Sequence, residues 1–446
     1  MKSLASLALL AVASLAHAQA AWVPLFNGTD LSGWVNVNCA PETFTVQDGE
    51  IRCTGTPTGI LRTADTFRNF ILELEWMHEK PGGNSGLFVW SDPLPAQGQP
   101  FTRSIEVQVM LSDDVKDEKG TLLYTGQGDI FSIHGATMVP DRPHPAGWAR
   151  CLPSERMTKG AGEWNRYRVT ARDGTLKLEV NGKEVSGGRD MNPREGFICL
   201  ESEGSPIRFR NIRLQRLPDG APLTPEQRCL PDEGFRSLFD GTLRGWKESD
   251  AAIGHWTPSD WRLQYDGRGD DLWTEASYGD FELICDWRWT GSSVKARVPV
   301  VHPDGTGATG PDGKAATVEI DDFGDSGILL RGNEKSQVNI WCWPVGSGEV
   351  YGYRSDPSQP NDVRAAVTPK ARADAAPGQW NRFRIRMVGD RLSVNLNGKQ
   401  VVDNARLPGV PMSGPIGLQD HGAPIEFANI QIRPLKPDGS PADQPR

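Results

Sequence analysis

Along residues 70–76, Phe70, Leu72, Leu74 and Trp76 alternate with Ile71, Glu73 and Glu75. Along 176–180, Leu176, Leu178 and Val180 alternate with Lys177 and Glu179. A period of two sets one face of an extended strand in a core and the other towards solvent. Asn181-Gly182 and Asn397-Gly398 each sit between two such runs, the strongest short-range signal for a hairpin. No window carries a helical stripe of useful length. The pattern predicts an all-β protein built of sandwiches or related two-sheet domains.

The pattern also repeats. LFNGTDLSGW at 25–34 returns as LFDGTLRGW at 238–246, FILELEW at 70–76 as FELICDW at 281–287, and NSGLFVW at 84–90 as DSGILLR at 325–331. GQGDIF at 126–131 returns as GSGEVY at 346–351, EWNRYRV at 163–169 as QWNRFRI at 379–385, and LKLEVNGKEV at 176–185 as LSVNLNGKQV at 392–401. The chain therefore reads as two copies of one domain, 21–217 and 235–436, joined by a Pro-rich polar linker, 218–234. The offset between copies is 211 at Phe70/Phe281, 241 at Ser85/Ser326 and 220 at Gly128/Gly348. The second copy thus gains a stretch near 291–318, rich in Gly, Pro and Asp, which reads as a long surface loop. Residues 437–446 read as a disordered tail. Trp164 and Trp380 read as core anchors, and Asn211 and Asn429 as turn or strand-pairing residues. Glu73 and Glu75 read as the solvent face of a strand.

Residues 1–20 stand apart from the fold. Lys2, an apolar stretch from Leu4 to Leu15 and Ala16-His17-Ala18 make a signal peptide, so an exported bacterial protein is expected, periplasmic or extracellular. The stretch is too short to span a bilayer, and no transmembrane segment is expected elsewhere. The 446 residues carry a net charge of −9 with no basic stripe, which argues against nucleic acid as a partner. The 49 Gly and 34 Pro suit many short strands and turns. The seven Cys include no CxxC pair; Cys39 and Cys53 are close enough in sequence to bridge, and Cys199 and Cys285 lie in apolar runs as core residues.

The opening LFNGTDLSGW, the NSG motif followed by EVQ, the WN…NGK hairpin and the closing GPIGLQDHGAPIEFANI together resemble the 3-keto-disaccharide hydrolase family, over both copies. The resemblance implies two tandem concanavalin A-like jelly-roll sandwiches. It also implies export and action on sugars oxidised to a ketone at carbon 3. Such a ketone acidifies the hydrogen on carbon 2. A base can remove it, the enolate can expel the group on carbon 1, and water can add back. The route needs one base and a stabiliser for the enolate oxygen; a divalent metal could hold the ketone. It does not need the paired carboxylates of ordinary glycosidases. Glu319-Ile320-Asp321 begins a pattern of that kind, but Phe323 and Gly324 interrupt it, which disfavours a retaining glucanase.

In the first copy, Glu106 and Gln108 share a face of SIEVQVM, as do Glu201 and Glu203 in CLESEG. Glu106 is a catalytic candidate. Gln108, Glu201, Glu203 and His134 are substrate-binding candidates, and the acidic set could instead hold a cation. Trp90 stands where the family has Arg, and Glu201 and Glu203 stand at the Gln and His of its LQxH segment. In the second copy Arg331, Gln419, Asp420 and His421 keep that pattern, whereas Gln337 and Asn339 replace Glu106 and Gln108. His421 is the foremost base candidate, with Arg331 and Gln419 as catalytic partners. Asn339, Asp420, Trp341, Trp343, Tyr351 and Tyr353 are substrate-binding candidates; as strand residues, each aromatic pair would share a face and offer stacking surface. Oxygen ligands for structural calcium are available in 321–325 and around Asp304 and Asp312. The rival readings are a tandem lectin without catalysis and an envelope scaffold. The first would bind unoxidised glycans unchanged, and the second would show a large apolar patch.

Overall fold

The computed structural model describes residues 21–442; the expected signal peptide lies outside them. Each copy is an antiparallel two-sheet sandwich of the concanavalin A-like jelly-roll kind. In the first, a nine-stranded sheet runs Thr137–Pro140, Lys183–Asn192, Thr175–Val180, Asn165–Arg172, Phe70–His78, Ile207–Arg216, Glu50–Cys53 and Phe44–Gln47, with Trp22–Pro24 also pairing to Ile207–Arg216. A seven-stranded sheet runs Arg150–Cys151, Gln127–Ile133, Ser104–Met110, Asn84–Ser91, Phe197–Ser202, Gly59–Thr63 and Trp34–Val37. Leu72, Leu74, Trp76, Val169 and Leu178 of one sheet meet Leu87, Val89, Ile105, Val107 and Leu200 of the other in one core. Each of those side chains buried from water is worth about 1.5–3 kcal/mol, which fixes the register of every strand: a one-residue slip would turn its core set outwards.

The second copy repeats this with sheets of eight and five strands. Both NG hairpins form as read. Asn181 and Gly182 have φ of 50° and 91°, and Asn397 and Gly398 have 52° and 81°; two successive left-handed residues match the twist of the flanking strands, and Asn and Gly tolerate them best.

Several expectations are corrected. The gained stretch is no structureless loop. Val294–Pro299 and Thr317–Asp322 pair as a hairpin, whose tip rests on the second copy, with Lys370 Nζ donating to the Pro303 carbonyl at 3.0 Å. Glu319 and Asp321 are exposed on this arm, off the main sheets. Within the expected tail, Arg386 donates to the Gly439 carbonyl at 2.8 Å and the Ala442 N–H to Pro434 at 3.0 Å, so 437–442 are folded back. Cys39 and Cys53 are both buried and unbridged. Trp164 and Trp380 are half-buried outside the cores; Arg210 lies 3.8 Å over the ring of the first and Arg288 4.7 Å over the second. Glu73 is not solvated, because Arg166, Arg168 and Arg213 enclose it.

Candidate functional sites, one in each copy

Along each central strand of the smaller sheet, alternate residues leave the core and form its outer face. In the first copy the middle of that face is Gly86. Its neighbours across the sheet are Ser104–Met110 on one side and Phe197–Ser202 on the other. Glu106 reaches in from the first and Glu201 from the second. A Cβ on Gly86 would lie 2.7 Å from Glu201 Oε2 and 2.9 Å from Glu106 Oε1. The missing side chain is therefore what lets two carboxyl groups meet over one residue.

Around this pair runs a chain of polar contacts. Asp129 accepts from Arg150 Nε at 2.7 Å, Arg150 donates to Gln108 Oε1 at 3.0 Å, and Gln108 donates to Asn84 Oδ1 at 2.9 Å. Asn84 then donates to Glu203. The Arg150 guanidinium also lies 3.8 Å over the Phe131 ring and 5.4 Å from that of Tyr124. Glu201 Oε2, by contrast, is buried with no hydrogen-bond partner. Burial pushes the Glu106 carboxyl up to about 8, with Glu203 adding to the rise and Arg150 opposing it. Burial and then Glu106 raise Glu201 well above the usual carboxylate range. Burial takes Glu203 to about 7 against the Asn84 hydrogen bond. Like charges at close range without water cannot both ionise, so this recess carries protons at neutral pH.

The second copy builds the same frame from different residues. Gly327 stands in place of Gly86, beside Gln337. Gln337 Nε2 donates to Gln419 Oε1, so an amide pair replaces the carboxyl pair and satisfies itself. Gln419 Oε1 being taken, its NH2 group is left for a ligand oxygen. Asp325 occupies the Asn84 position and His421 that of Glu203. Burial raises Asp325 to about 6, and the nearby imidazole of His421 pulls it down. His421 is exposed and Asn339 buried. Trp341 and Trp343 stack with ring centroids 4.3 Å apart, and Tyr351 meets Trp343 edge-on at 6.4 Å. Beneath, Glu349 is fully buried against Arg354 and is pushed up by burial to about 7.

The structure brings together Glu106, Gln108, Glu201 and Glu203 in one recess, and Gln337, Asn339, Gln419 and His421 in the other. It sets four expected residues elsewhere. Arg331 is wholly buried at the end of the sandwich, where it donates to the carbonyls of Gly279, Gly389 and Pro411 at 2.7–2.9 Å and to Asp280 at 3.0 Å. Trp90 plugs the same position in the first copy, donating to Arg68 O at 2.8 Å, so this difference between the copies concerns packing. Tyr353 is buried with its hydroxyl on Pro408 O at 3.1 Å. The expected strand there is a short helix, Tyr351–Arg354, so Tyr351 and Tyr353 no longer share a face. His134 lies past the end of its strand, in a cavity of about 700 Å³ between the linker and both copies. Asp420 is spent on its own turn: its Oδ1 accepts from Tyr265 Oη and, at 2.9 Å, from the Gly422 N–H.

Among the described residues no three His, Cys, Asp or Glu side chains converge as ligands for a metal ion. Of the carboxylates expected to hold calcium, Asp304 accepts from the Thr306 N–H at 2.9 Å, Asp312 from Lys314 at 3.1 Å, and Asp321 pairs with Lys295 at 2.8 Å, whereas Asp325 Oδ1 is buried without a partner. Among the same residues no helix is long and apolar enough to cross a membrane. The sequence reading did not weigh Asn84, weighed Asp325 only within the 321–325 stretch offered for calcium, and did not weigh Asp129 or Arg150. The first two open the NSG and DSG motifs, and that repeated position was the available signal.

The two copies also share an interface. Gly98 of the first lies flat on Trp380 of the second, where a Cβ would come within 2.3 Å of the ring. The Gly98 N–H donates to Asp286 at 2.8 Å, and the same carboxylate accepts from Asn429 at 2.7 Å and Arg382 at 2.6 Å. Asp260 of the second copy accepts from the Thr58 N–H at 2.6 Å and borders Glu203.

Comparison with known proteins agrees with this duplicated architecture. A family model described as a 3-keto-alpha-glucoside-1,2-lyase-like domain matches residues 21–215 and again 234–433. A 3-keto-disaccharide hydrolase of Bacteroides thetaiotaomicron is 25% identical over 44% of this chain and 78% of its own length. Among solved structures, a β-glucanase of Bacillus licheniformis is 14% identical, covering 45% of this chain and all of that one, with a TM-score of 0.27. A carbohydrate-binding module of Bacillus subtilis is 13% identical, over 41% of this chain and 95% of its own, with a TM-score of 0.29. The family match spans most of the chain in two stretches, and the chain belongs to the family of 3-keto-alpha-glucoside-1,2-lyase-like domains, in two tandem copies.

Proposed function

We propose that this is an exported enzyme that cleaves 3-keto-glycosides by elimination and hydration, with the second copy as its histidine-based active site. The observation that carries the reading is the set around Gly327. A histidine at the rim, an amide NH2 group at the floor and an aromatic wall surround one small patch of sheet. His421 takes the proton from carbon 2. The electrons of that C–H bond form the enolate, whose oxygen accepts a hydrogen bond from Gln419 Nε2. The Asp325 carboxyl lies beside the imidazolium that results. As the ketone re-forms, the bond from carbon 1 to the leaving oxygen breaks, and the proton on His421 passes to that oxygen. Water then adds across the new double bond. Trp343 and Tyr351 give the sugar an apolar face to lie against. Both the family and the curated relative are described by an enzyme's name, so no specific observation favours a lectin.

The test is release of 4-nitrophenol from its 3-keto-glucoside by the purified protein, with and without EDTA. Turnover insensitive to EDTA is expected. In a Glu203→Gln background, His421→Ala should cut release at least 100-fold while the melting temperature holds. Unchanged release would remove His421 from the mechanism.

A further inference from the structure

The outer face of the first copy holds what the second has lost: two carboxyl groups converging over one glycine, with one oxygen unanswered. Glu201 Oε2 is buried, aimed at the space above Gly86 and without a donor. The molecule supplies its own control. At the equivalent positions Gln337 donates to Gln419 and the two amides close on each other, so neither carries an unanswered acid oxygen. An acid pair in the same frame can be satisfied only by a proton between its members or by a donor from outside. The rest of the recess is also built: Glu203 is only half-buried at its rim, held by Asn84 at the end of the chain from Asp129 through Arg150 and Gln108. Among the described residues no metal-ligand set forms; carboxyl, amide and guanidinium groups line the recess, and they match an oxygen-rich ligand that both donates and accepts hydrogen bonds.

We propose that the first copy is a second active site, acting on the same class of substrate, a glycoside with a ketone at carbon 3, through carboxyl groups alone: Glu203 is the base, and Glu106 and Glu201, both protonated, are the donor to the enolate oxygen, one O–H closing the pair and the other facing the substrate. This rests on the reaction proposed above. Glu203 removes the proton from carbon 2, and the C–H electrons form the enolate. Its oxygen accepts the hydrogen bond of the neutral acid pair, a role that a buried carboxylic acid can fill at neutral pH. The ketone re-forms, a double bond joins carbons 1 and 2, and the bond from carbon 1 to the leaving oxygen breaks. That oxygen takes the proton from Glu203, and water adds its hydroxyl to carbon 1 and its hydrogen to carbon 2. The titratable and charged groups facing the recess are Arg150 and Asp129 beside Glu106, the Cys53 thiol behind Glu201, and Asp260 of the second copy beside Glu203.

The experiment uses the full chain and 4-nitrophenyl 3-keto-glucoside. His421→Ala should leave a residual activity with a bell-shaped pH profile. The rising limb belongs to Glu203, and the falling limb belongs to ionisation of the protonated Glu106–Glu201 pair. Adding Glu203→Gln should lower that residue at least tenfold. Adding Glu106→Gln with Glu201→Gln instead should remove the falling limb, because amides donate without titrating; this double change copies the pair the second copy already accommodates. The proposal is overturned if His421→Ala alone abolishes turnover, if Glu203→Gln leaves the residual rate unchanged, or if the falling limb survives the double change. Absence of turnover by the unaltered protein would overturn the reaction itself, a different result from loss in one copy.

Discussion

Replacing Glu106 and Glu201 by Gln should stabilise the first copy, and the gain should grow with pH. Burial lifts the Glu106 carboxyl from its ordinary 4.5 to about 8. A carboxyl whose folded pKa is raised favours the native state fully below the unfolded value. That contribution is lost as pH climbs from about 4.5 to about 8, because the unfolded chain ionises freely and the folded one does not. At pH 7 the difference is about two and a half pH units, or roughly 3 kcal/mol at 1.36 kcal/mol per unit. An amide has no ionisation to forgo, and Gln337 with Gln419 shows that two amides fit this frame and hydrogen-bond each other. For a domain of this size, roughly 3 kcal/mol moves a melting temperature by about 6–12 °C. The assay is calorimetry of the unaltered chain and the double variant at pH 5, 7 and 8.5. The unaltered first-copy transition should fall across that range while the variant's holds. Equal melting temperatures at pH 8.5, or a variant less stable there, would show that the two carboxyls are not forced together and would refute the reasoning.

Arg331→Ala should lower the melting temperature of the second copy by about 10 °C, because it strands Asp280 and three carbonyls in the sandwich end at roughly 3–5 kcal/mol; a shift under 2 °C would restore the residue to the list of site candidates. Tyr351→Ala should raise KM several-fold for a 3-keto-glucoside with little change in kcat, measured by steady-state kinetics in the Glu203→Gln background, whereas Tyr353→Ala should lower stability first. Glu73 is buried, which raises its carboxyl, but hydrogen bonds from Arg213 and Arg166 outweigh this and hold it below the usual range. Its stabilisation is present above about pH 4.5 and is lost as pH falls through the lowered value, so Glu73→Gln should flatten acid unfolding below pH 4.5 in a circular-dichroism titration.

The fold was legible because each of its devices is local. Alternation along Phe70–His78 and Thr175–Val180 fixes faces, and Asn-Gly fixes hairpins, with no reference to distant residues. Repetition then doubled the information. The sites were legible in part for the same reason. Glu106 and Gln108, two apart on one strand, must share a face, and the structure keeps them together. What stayed hidden depends on contacts between strands far apart in sequence. Nothing local shows that Gly86 lies between Glu106 and Glu201, or that Asn84 reaches Glu203. Arg331 was misread because its position relative to the NSG motif says nothing of which end of the sandwich it closes. Tyr351 and Tyr353 were misread because a strand in the first copy became a helical turn in the second, which changes the period from two towards 3.6 and sends one ring to the surface and the other to the core.

The pairing of the copies bears on why both sites persist in one chain. Had the second copy been retained only as a brace, its outer face around Gly327 would be free to fill with apolar side chains. The surface that braces the first copy is a different one: Asp286, Asn429 and Arg382 on the larger sheet, with Trp380 just before the strand Asn381–Val388, grip the loop around Gly98. Bracing and the recess therefore sit on opposite sheets of the second sandwich and place no demand on each other. The first copy divides its labour differently. Its recess opens on the smaller sheet, near the turn that brings Asp260 beside Glu203, so docking of the second copy completes the charge around that carboxyl. The geometry is consequently asymmetric: the second site is built from one copy, whereas the first is tuned by both. Loosening the interface should disturb the carboxyl site and leave the histidine site its own chemistry.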